Sequence, residues 1–431
     1  MWVSNSERPL RSAELCDALG VRIGSADRDL ENVPTIRTLL ACSLGLITVE
    51  EASSTVRLVH FSLQEYLSHN LGLFQNPHSM IAEVCLTYLN FRCVRELSPT
   101  LASVPSTLPL VGYVSGYWGD HVRKGGVGGM SPLALELLVE FGQHVSSQLL
   151  LVHYHEVRRW WEPEFDNRDG PKRFTGLHGA AFFGMVEIVP TLLAMEGWDI
   201  NTTDPTGRTA LAWAAVGGHE NVVAMILQQK DAKADTPDTG HGLTPLWLAT
   251  VYGNEGVVKL LLEREDVNPN TAHTKYGWTP LLLAVENGHE GIAKLLLERE
   301  DINPNTADSE YGRTPLLLAA KGGYEGVVKL LLEREDINPN IADTECGRIP
   351  LLLAAEGGHE GVAKLLLERG GINPSTADSE YGLTPLLLAT NGGHEGVVKL
   401  LLERGDINPN TAETKYGQAP LLLAESAGMR G

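Results

Sequence analysis

The chain has 431 residues, of which 43% are hydrophobic and 20% charged, and carries a formal net charge of −20. Such a length suits two or three domains, and such an apolar fraction excludes a disordered polyelectrolyte. The acidity opposes contact with nucleic-acid phosphates, and the basic clusters are only short pairs such as Arg158-Arg159 and Lys172-Arg173, so no nucleic-acid partner is expected.

The N-terminus, Met-Trp-Val-Ser-Asn-Ser-Glu-Arg, has neither the basic nor the apolar segment of a signal peptide. No apolar run approaches the ~18 residues of a membrane span. The longest, Leu39 to Val49, is interrupted by Cys42, Ser43 and Thr48, so no membrane partner is expected. The five cysteines form no C-x-x-C pair, which points to reduced thiols and a cytoplasmic protein.

Residues 1–70 are expected to form one domain. Helices are predicted over Ser12 to Leu19 and Val33 to Ser43, the latter carrying Ile36, Leu39 and Leu40. Two β-rich runs, Gly45 to Val49 and Thr55 to His60, flank the polar segment 50–54 and read as a hairpin. Helices followed by a hairpin suggest a winged helix. A DNA reader would need basic residues on the second helix and wing, yet these offer only Arg37 against Glu50 and Glu51.

The strings Arg-Pro-Leu-Arg-Ser-Ala-Glu-Leu-Cys-Asp-Ala-Leu (8–19) and Val-Arg-Leu-Val-His-Phe-Ser-Leu-Gln-Glu-Tyr-Leu (56–67) resemble the winged-helix domain of fungal NACHT-type signalling ATPases. The resemblance implies that this domain follows a nucleotide-binding module, and that His60 falls where relatives face the phosphate of bound ADP. No G-x-x-x-x-G-K-[ST] loop accompanies it. Lys124-Gly-Gly-Val-Gly-Gly-Met lacks the lysine and hydroxyl after its glycines, so His60 is read as structural and no cofactor is expected. Met1-Trp2-Val3 begins close to the domain's first helix, as expected if sequence precedes it.

Residues 71–173 are predicted to be a helical linker, with apolar helical spacing at Met80 to Val94 and Ser131 to Arg158 and a looser Ser98 to Pro109 between. Tyr117-Trp118-Gly119-Asp120-His121 resembles a segment found between winged helix and repeats in the same fungal proteins.

Residues 174–431 repeat. Thr209, Thr244, Thr279, Thr314, Ile349, Thr384 and Ala419 follow one another at 35 residues, and Thr175 opens a divergent unit 34 residues earlier. That makes eight units, the last truncated. In the unit Gly312 to Cys346, Gly312 suits a positive-φ turn, Thr314 caps a helix and Pro315 takes its first position. Leu316 to Ala320 form the helix, which Gly322-Gly323 end. A second helix opens at Tyr324-Glu325, with Val327, Val328, Leu330, Leu331 and Leu332 apolar and Lys329 and Glu333 outward. Neither helix is long enough to stand alone, so each must pack on neighbouring units.

Gly-Arg-Thr-Pro-Leu-Leu-Leu-Ala-Ala (312–320) and Gly-His-Glu-Gly-Val-Ala-Lys-Leu-Leu-Leu-Glu (358–368) look like ankyrin repeats. The implied fold class is mainly α, an ankyrin-repeat solenoid preceded by a winged-helix domain. Only His178 keeps the family's Thr-Pro-Leu-His histidine, which ties adjacent turns together. Ala212, Trp247, Leu282, Leu317, Leu352 and Leu387 replace it, so apolar packing is expected to substitute for those bonds. The long period is expected to lengthen the finger loops at segments such as Asn303 to Asp308. The eighth unit keeps Pro420 to Glu425 without a second helix, and is expected to fray.

No enzymatic constellation stands out, and the chain is read as a non-enzyme. His219, His289, His359 and His394 lie in Gly-His-Glu strings that lack the second histidine of H-E-x-x-H, so no metal is expected there. The resemblance implies protein binding through finger loops and first-helix faces. The candidate partner-binding residues are therefore those that differ between near-identical units. Before each Thr-Pro step stand Arg208, Leu243, Trp278, Arg313, Arg348 and Leu383, and near each first-helix end stand Val251, Glu286, Lys321 and Glu356. Trp278 and the arginines are types that anchor interfaces. Two functions follow as expectations: a protein-binding scaffold with an unknown partner, or the regulatory part of a NACHT-type ATPase whose nucleotide-binding domain lies elsewhere.

Overall fold

The computed structural model describes residues 1–70, 73–74, 76–98, 104–125, 132–156, 174–195 and 197–409. The expected eighth unit, both arginine and lysine pairs, and most of the glycine-rich segment after Lys124 lie outside the described residues. Two compact units divide the chain, Met1–Lys233 and a second beginning at Ala234.

In the first unit, helix α1 (Trp2–Asn5) buries Trp2, and α2 (Ser12–Gly20) buries Leu15 and Ala18. Glu14 accepts the Arg11 backbone N–H at 2.8 Å, closing the start of α2. Helix α3 (Ile36–Cys42) is capped by Thr35, whose hydroxyl accepts from Thr38 N–H. Strands β1 (Ile47–Glu50) and β2 (Thr55–Leu58) pair antiparallel, with Thr48 opposite Arg57. The expected helix and hairpin order is present. The second strand ends earlier than expected, because His60 Nδ1 accepts from Ser62 N–H and caps a further helix, α4 (Phe61–His69). His60 is thus a helix cap.

The segment expected as a linker forms α5 (Pro77–Leu89), α6 (Arg92–Arg95), α7 (Val111–Lys124), α8 (Pro132–Val139) and α9 (Val145–Glu156). Helix α7 packs on α5 and α9, and α8 packs on the first repeat helix, α10 (Gly176–Phe183). Contact is tight at Gly119, where a Cβ would come within 2.1 Å of the Phe183 ring. Trp118 meets that ring edge-on at 5.1 Å. These helices cover the start of the repeats, supplying the cap that a stack of helix pairs requires.

The first unit ends with α11 (Val189–Leu193), α12 (Ala210–Gly217) and α13 (Glu220–Leu227). In the second unit the first helices are α14 (Pro245–Val251), α16 (Pro280–Glu286), α18 (Pro315–Gly322), α20 (Pro350–Glu356) and α22 (Pro385–Asn391). The second helices are α15 (Glu255–Leu262), α17 (Glu290–Leu297), α19 (Glu325–Leu332), α21 (Glu360–Arg369) and α23 (Glu395–Leu402). Thr314 caps α18 by accepting Leu317 N–H at 3.3 Å. Ile349 replaces that threonine before α20 and makes no cap bond. Gly312 and Gly323 take φ +66° and +69°. At Gly323 a side chain would also strike His359 of the next helix pair, 2.5 Å from a Cβ. Leu316 to Ala320, Val327, Val328 and Leu331 are buried, each large aliphatic worth ~1.5–3 kcal/mol.

Three polar ladders add to this packing. The Nε2–H groups of His359 and His394 donate to the carbonyls of Lys321 and Glu356, at 3.1 and 2.9 Å. In the first unit His219 donates likewise to Phe182 at 2.9 Å, and burial lowers its pKa. These Gly-His-Glu histidines are inter-repeat ties. Asn270 and Asn305 each accept a backbone N–H from the next repeat and donate to one of its carbonyls. Arg299 and Arg334 donate to carbonyls at the end of the preceding repeat's second helix, Leu262 and Leu297, where the helix leaves acceptors free.

Candidate interaction edge

Each repeat presents a tight turn built around one acceptor. Asp308 Oδ1 accepts the N–H groups of Glu310 and Tyr311 at 3.0 and 2.7 Å, and its own N–H donates to the Arg313 carbonyl at 3.0 Å. Asp238, Asp343 and Asp378 organise their turns in the same way. Successive turns are stitched by backbone bonds: Ser309 N–H to the Tyr276 carbonyl, Thr344 to Tyr311 and Ser379 to Cys346. The residue before each Thr-Pro step therefore closes a turn through its carbonyl.

That geometry decides where the candidate residues lie. Leu243 and Val251 are buried, and Trp278 is only 9% exposed. Trp278 also receives at its carbonyl the indole N–H of Trp247, at 2.8 Å. In the first unit Arg208 is fully buried, its guanidinium over Trp213 at 5.3 Å and Tyr154 of α9 at 6.0 Å. Their burial does not meet the expectation that these four side chains face a partner: Arg208, Leu243 and Trp278 are buried at the turns, and Val251 is buried at the end of helix α14. Arg313, Arg348 and Leu383 are half-buried. Arg313 Nε sits 2.7 Å from Asp308 Oδ2, and its guanidinium lies over Tyr311 and Trp278 at 4.6 and 5.3 Å. Arg348 reaches Glu356 at 2.8 Å, joining two candidate positions directly. Glu286, Lys321 and Glu356 are exposed at the ends of their helices.

Sequence reasoning missed a column that the same period reveals. His241, Tyr276, Tyr311, Cys346 and Tyr381 stand 35 residues apart at the turn tips, all half-buried. Beside them Lys275, Glu310, Glu345 and Glu380 are exposed, so the tips from Tyr311 onward are acidic, and two of them, at Tyr311 and Tyr381, are also aromatic. The Cys346 thiol donates to Glu380 at 3.1 Å, and that carboxylate pushes its pKa up to about 11, so it is no reactive thiolate.

The family described as ankyrin repeats (3 copies) matches residues 177–273, 266–343 and 337–413, together more than half of the chain. The family described as GPI inositol-deacylase, winged helix domain, matches residues 1–76. No curated protein matches. Among solved structures, the ankyrin repeat domain of Bcl-3, a member of the IkappaB family, is similar at 24% identity and a TM-score of 0.45, over 53% of this chain and 97% of that one. Among the described residues no helix is long and apolar enough to cross a membrane.

Proposed function

Because this chain belongs to the ankyrin-repeat family, we propose that it binds a protein partner through the turn tips and first-helix ends of its second unit. Ankyrin repeats are protein–protein interaction modules. The carrying observation is the contrast between a buried frame that repeats almost without change and an exposed edge that differs from repeat to repeat. The contact set is Arg313, Arg348 and Leu383 with Glu286, Lys321 and Glu356, joined by Tyr311 and Tyr381. Glu310, Glu345 and Glu380 on the tips, in a chain of net charge −20, select a partner with a basic surface and aliphatic groups between its charges. The chain acts in the cytoplasm and performs no catalytic step itself.

Immobilised full chain, exposed to a cell extract at low salt, retains the partner. The variant Glu310→Lys/Glu345→Lys/Glu380→Lys, on exposed positions that leave the fold intact, is expected to lose that partner by more than tenfold. Unchanged retention would overturn the proposal.

The match of residues 1–76 to a winged-helix domain supports a second reading, in which the chain is the sensor part of a NACHT-type signalling ATPase. Sequencing the transcript upstream of Met1 tests the form of this reading in which the nucleotide-binding domain is on the same chain: an in-frame phosphate-binding loop supports it, and an in-frame stop codon refutes it.

A further inference from the structure

Glu7, His78 and His121 converge from three places in the first unit. Glu7 lies between α1 and α2, His78 is the second residue of α5, and His121 is in the last turn of α7. The two imidazoles face each other through their Nδ1 atoms at 2.8 Å, and Glu7 Oε1 stands 4.0 Å from His121 Nδ1. One ligand atom from each residue lies within 4.8 Å of the others. His121 is buried, whereas His78 and Glu7 are half-buried and reachable from solvent.

We propose that Glu7, His78 and His121 form a binding site for a divalent transition-metal ion of the Zn2+ class. The ligands are Nδ1 of both imidazoles and one Glu7 carboxylate oxygen, with the fourth position open to water. Two nitrogens and a carboxylate oxygen suit zinc-class ions better than calcium or magnesium. Ligand atoms about 2.0–2.1 Å from a tetrahedral metal stand roughly 3.3 Å apart, a spacing bracketed by the 2.8 and 4.0 Å separations.

The surroundings support the site. The Tyr113 hydroxyl sits 2.8 Å from His121 Nε2 and accepts the Glu7 backbone N–H at 3.0 Å, so one residue orients two ligands from behind. At His144 and His178 both ring nitrogens are engaged by nearby backbone or hydroxyl groups, whereas His121 Nδ1 faces the His78 ring and the Glu7 carboxylate. Lys124 Nζ holds both Glu7 oxygens, at 2.6 and 2.7 Å. The ammonium and the metal compete for that carboxylate, which gives the test its sharpest arm.

Titrating the full chain with Co2+, followed by visible absorption, is expected to give ligand-field bands that saturate at one equivalent and are abolished by Zn2+. His78→Gln and Glu7→Gln should weaken binding more than tenfold, and Tyr113→Phe by about tenfold through loss of orientation. Lys124→Gln should tighten it by about threefold or more, since one nearby positive charge is removed. His69→Gln, outside the site, should bind as the parent does. Absence of the bands, or Lys124→Gln and His78→Gln variants that both bind like the parent, would overturn the proposal. Lys124 is exposed enough for its variant to fold, so the test stands even if a ligand variant does not.

Discussion

The indole N–H of Trp247 donates to the carbonyl of Trp278 at 2.8 Å, the counterpart of the bond from His178 Nε2 to the Arg208 carbonyl at 3.2 Å in the first unit. Loss of the histidine at this position was expected to leave only packing, but Trp247 retains a donor there. Trp247→Phe keeps an aromatic ring and removes the N–H. It should cost about 1–2 kcal/mol in denaturant unfolding of the full chain, the bond plus a little packing. An unchanged midpoint would show that packing alone holds these turns.

Arg334 clamps two repeats. Its Nη1 donates to the Leu297 carbonyl at 3.0 Å, while Nε and Nη2 grip Asp336 at 2.9 and 2.8 Å. Lysine cannot serve both at once, because it lacks the planar fork. Arg334→Lys should therefore lose nearly as much as Arg334→Ala, about 1–2 kcal/mol by equilibrium unfolding. Lysine variants as stable as the parent would reduce the clamp to a generic positive charge.

Asp235 occupies the ladder position that Asn270 and Asn305 hold in later repeats. It accepts Asn268 N–H at 3.3 Å, but its Oδ1 is buried without a hydrogen-bond partner among the described residues, and burial raises its pKa. Asp235→Asn should supply the missing donor and stabilise the chain by about 1 kcal/mol at neutral pH. A carboxyl with a raised folded pKa favours the folded state relatively more below that pKa and loses this contribution as pH rises through it. The gain from asparagine should shrink as pH falls toward the carboxylate range. A gain independent of pH, or none, would contradict this.

His144 starts α9, accepting Ser146 N–H at Nδ1 and donating from Nε2 to the Leu89 carbonyl. Burial lowers its pKa from 6.5 to about 4. A depressed histidine contributes stability that is full above the unfolded pKa and lost as pH falls toward the folded one. Stability of the parent should decline between pH 6.5 and 4. His144→Asn, which can still cap the helix, should decline less over that window when thermal unfolding is compared. Parallel pH profiles would exclude His144 as a source of the decline.

The repeated frame was legible because period, Thr-Pro caps and paired glycines each mark a backbone conformation. Gly312 and Gly323 sit at the expected left-handed φ. Three things were hidden in contacts between distant residues. Arg208 reads as a surface arginine until Tyr154 of α9 is seen beneath it. The segment 71–173 reads as connective because its role, covering α10 through Trp118 and Gly119, depends on Phe183 more than sixty residues away. The metal-site candidate joins residues 7, 78 and 121, at spacings no local motif records. The turn-tip column was visible in the sequence at the same period as the threonines. The residue beside the helix cap varies more conspicuously between repeats, yet Arg208, Leu243 and Trp278 are buried there.

The most direct measurement is site-specific photo-crosslinking in the full chain. A photoreactive residue is placed in turn at Tyr311 on a turn tip, at Lys321 on a first-helix end, and at Lys329 on a second helix. All three variants are expected to fold, since Lys321 and Lys329 are exposed and Tyr311 is half-buried at a tip. One protein partner crosslinked from positions 311 and 321 but not from 329 would place the interface on the turn-tip edge. Crosslinking from 329 with none from 311 or 321 would contradict the central claim.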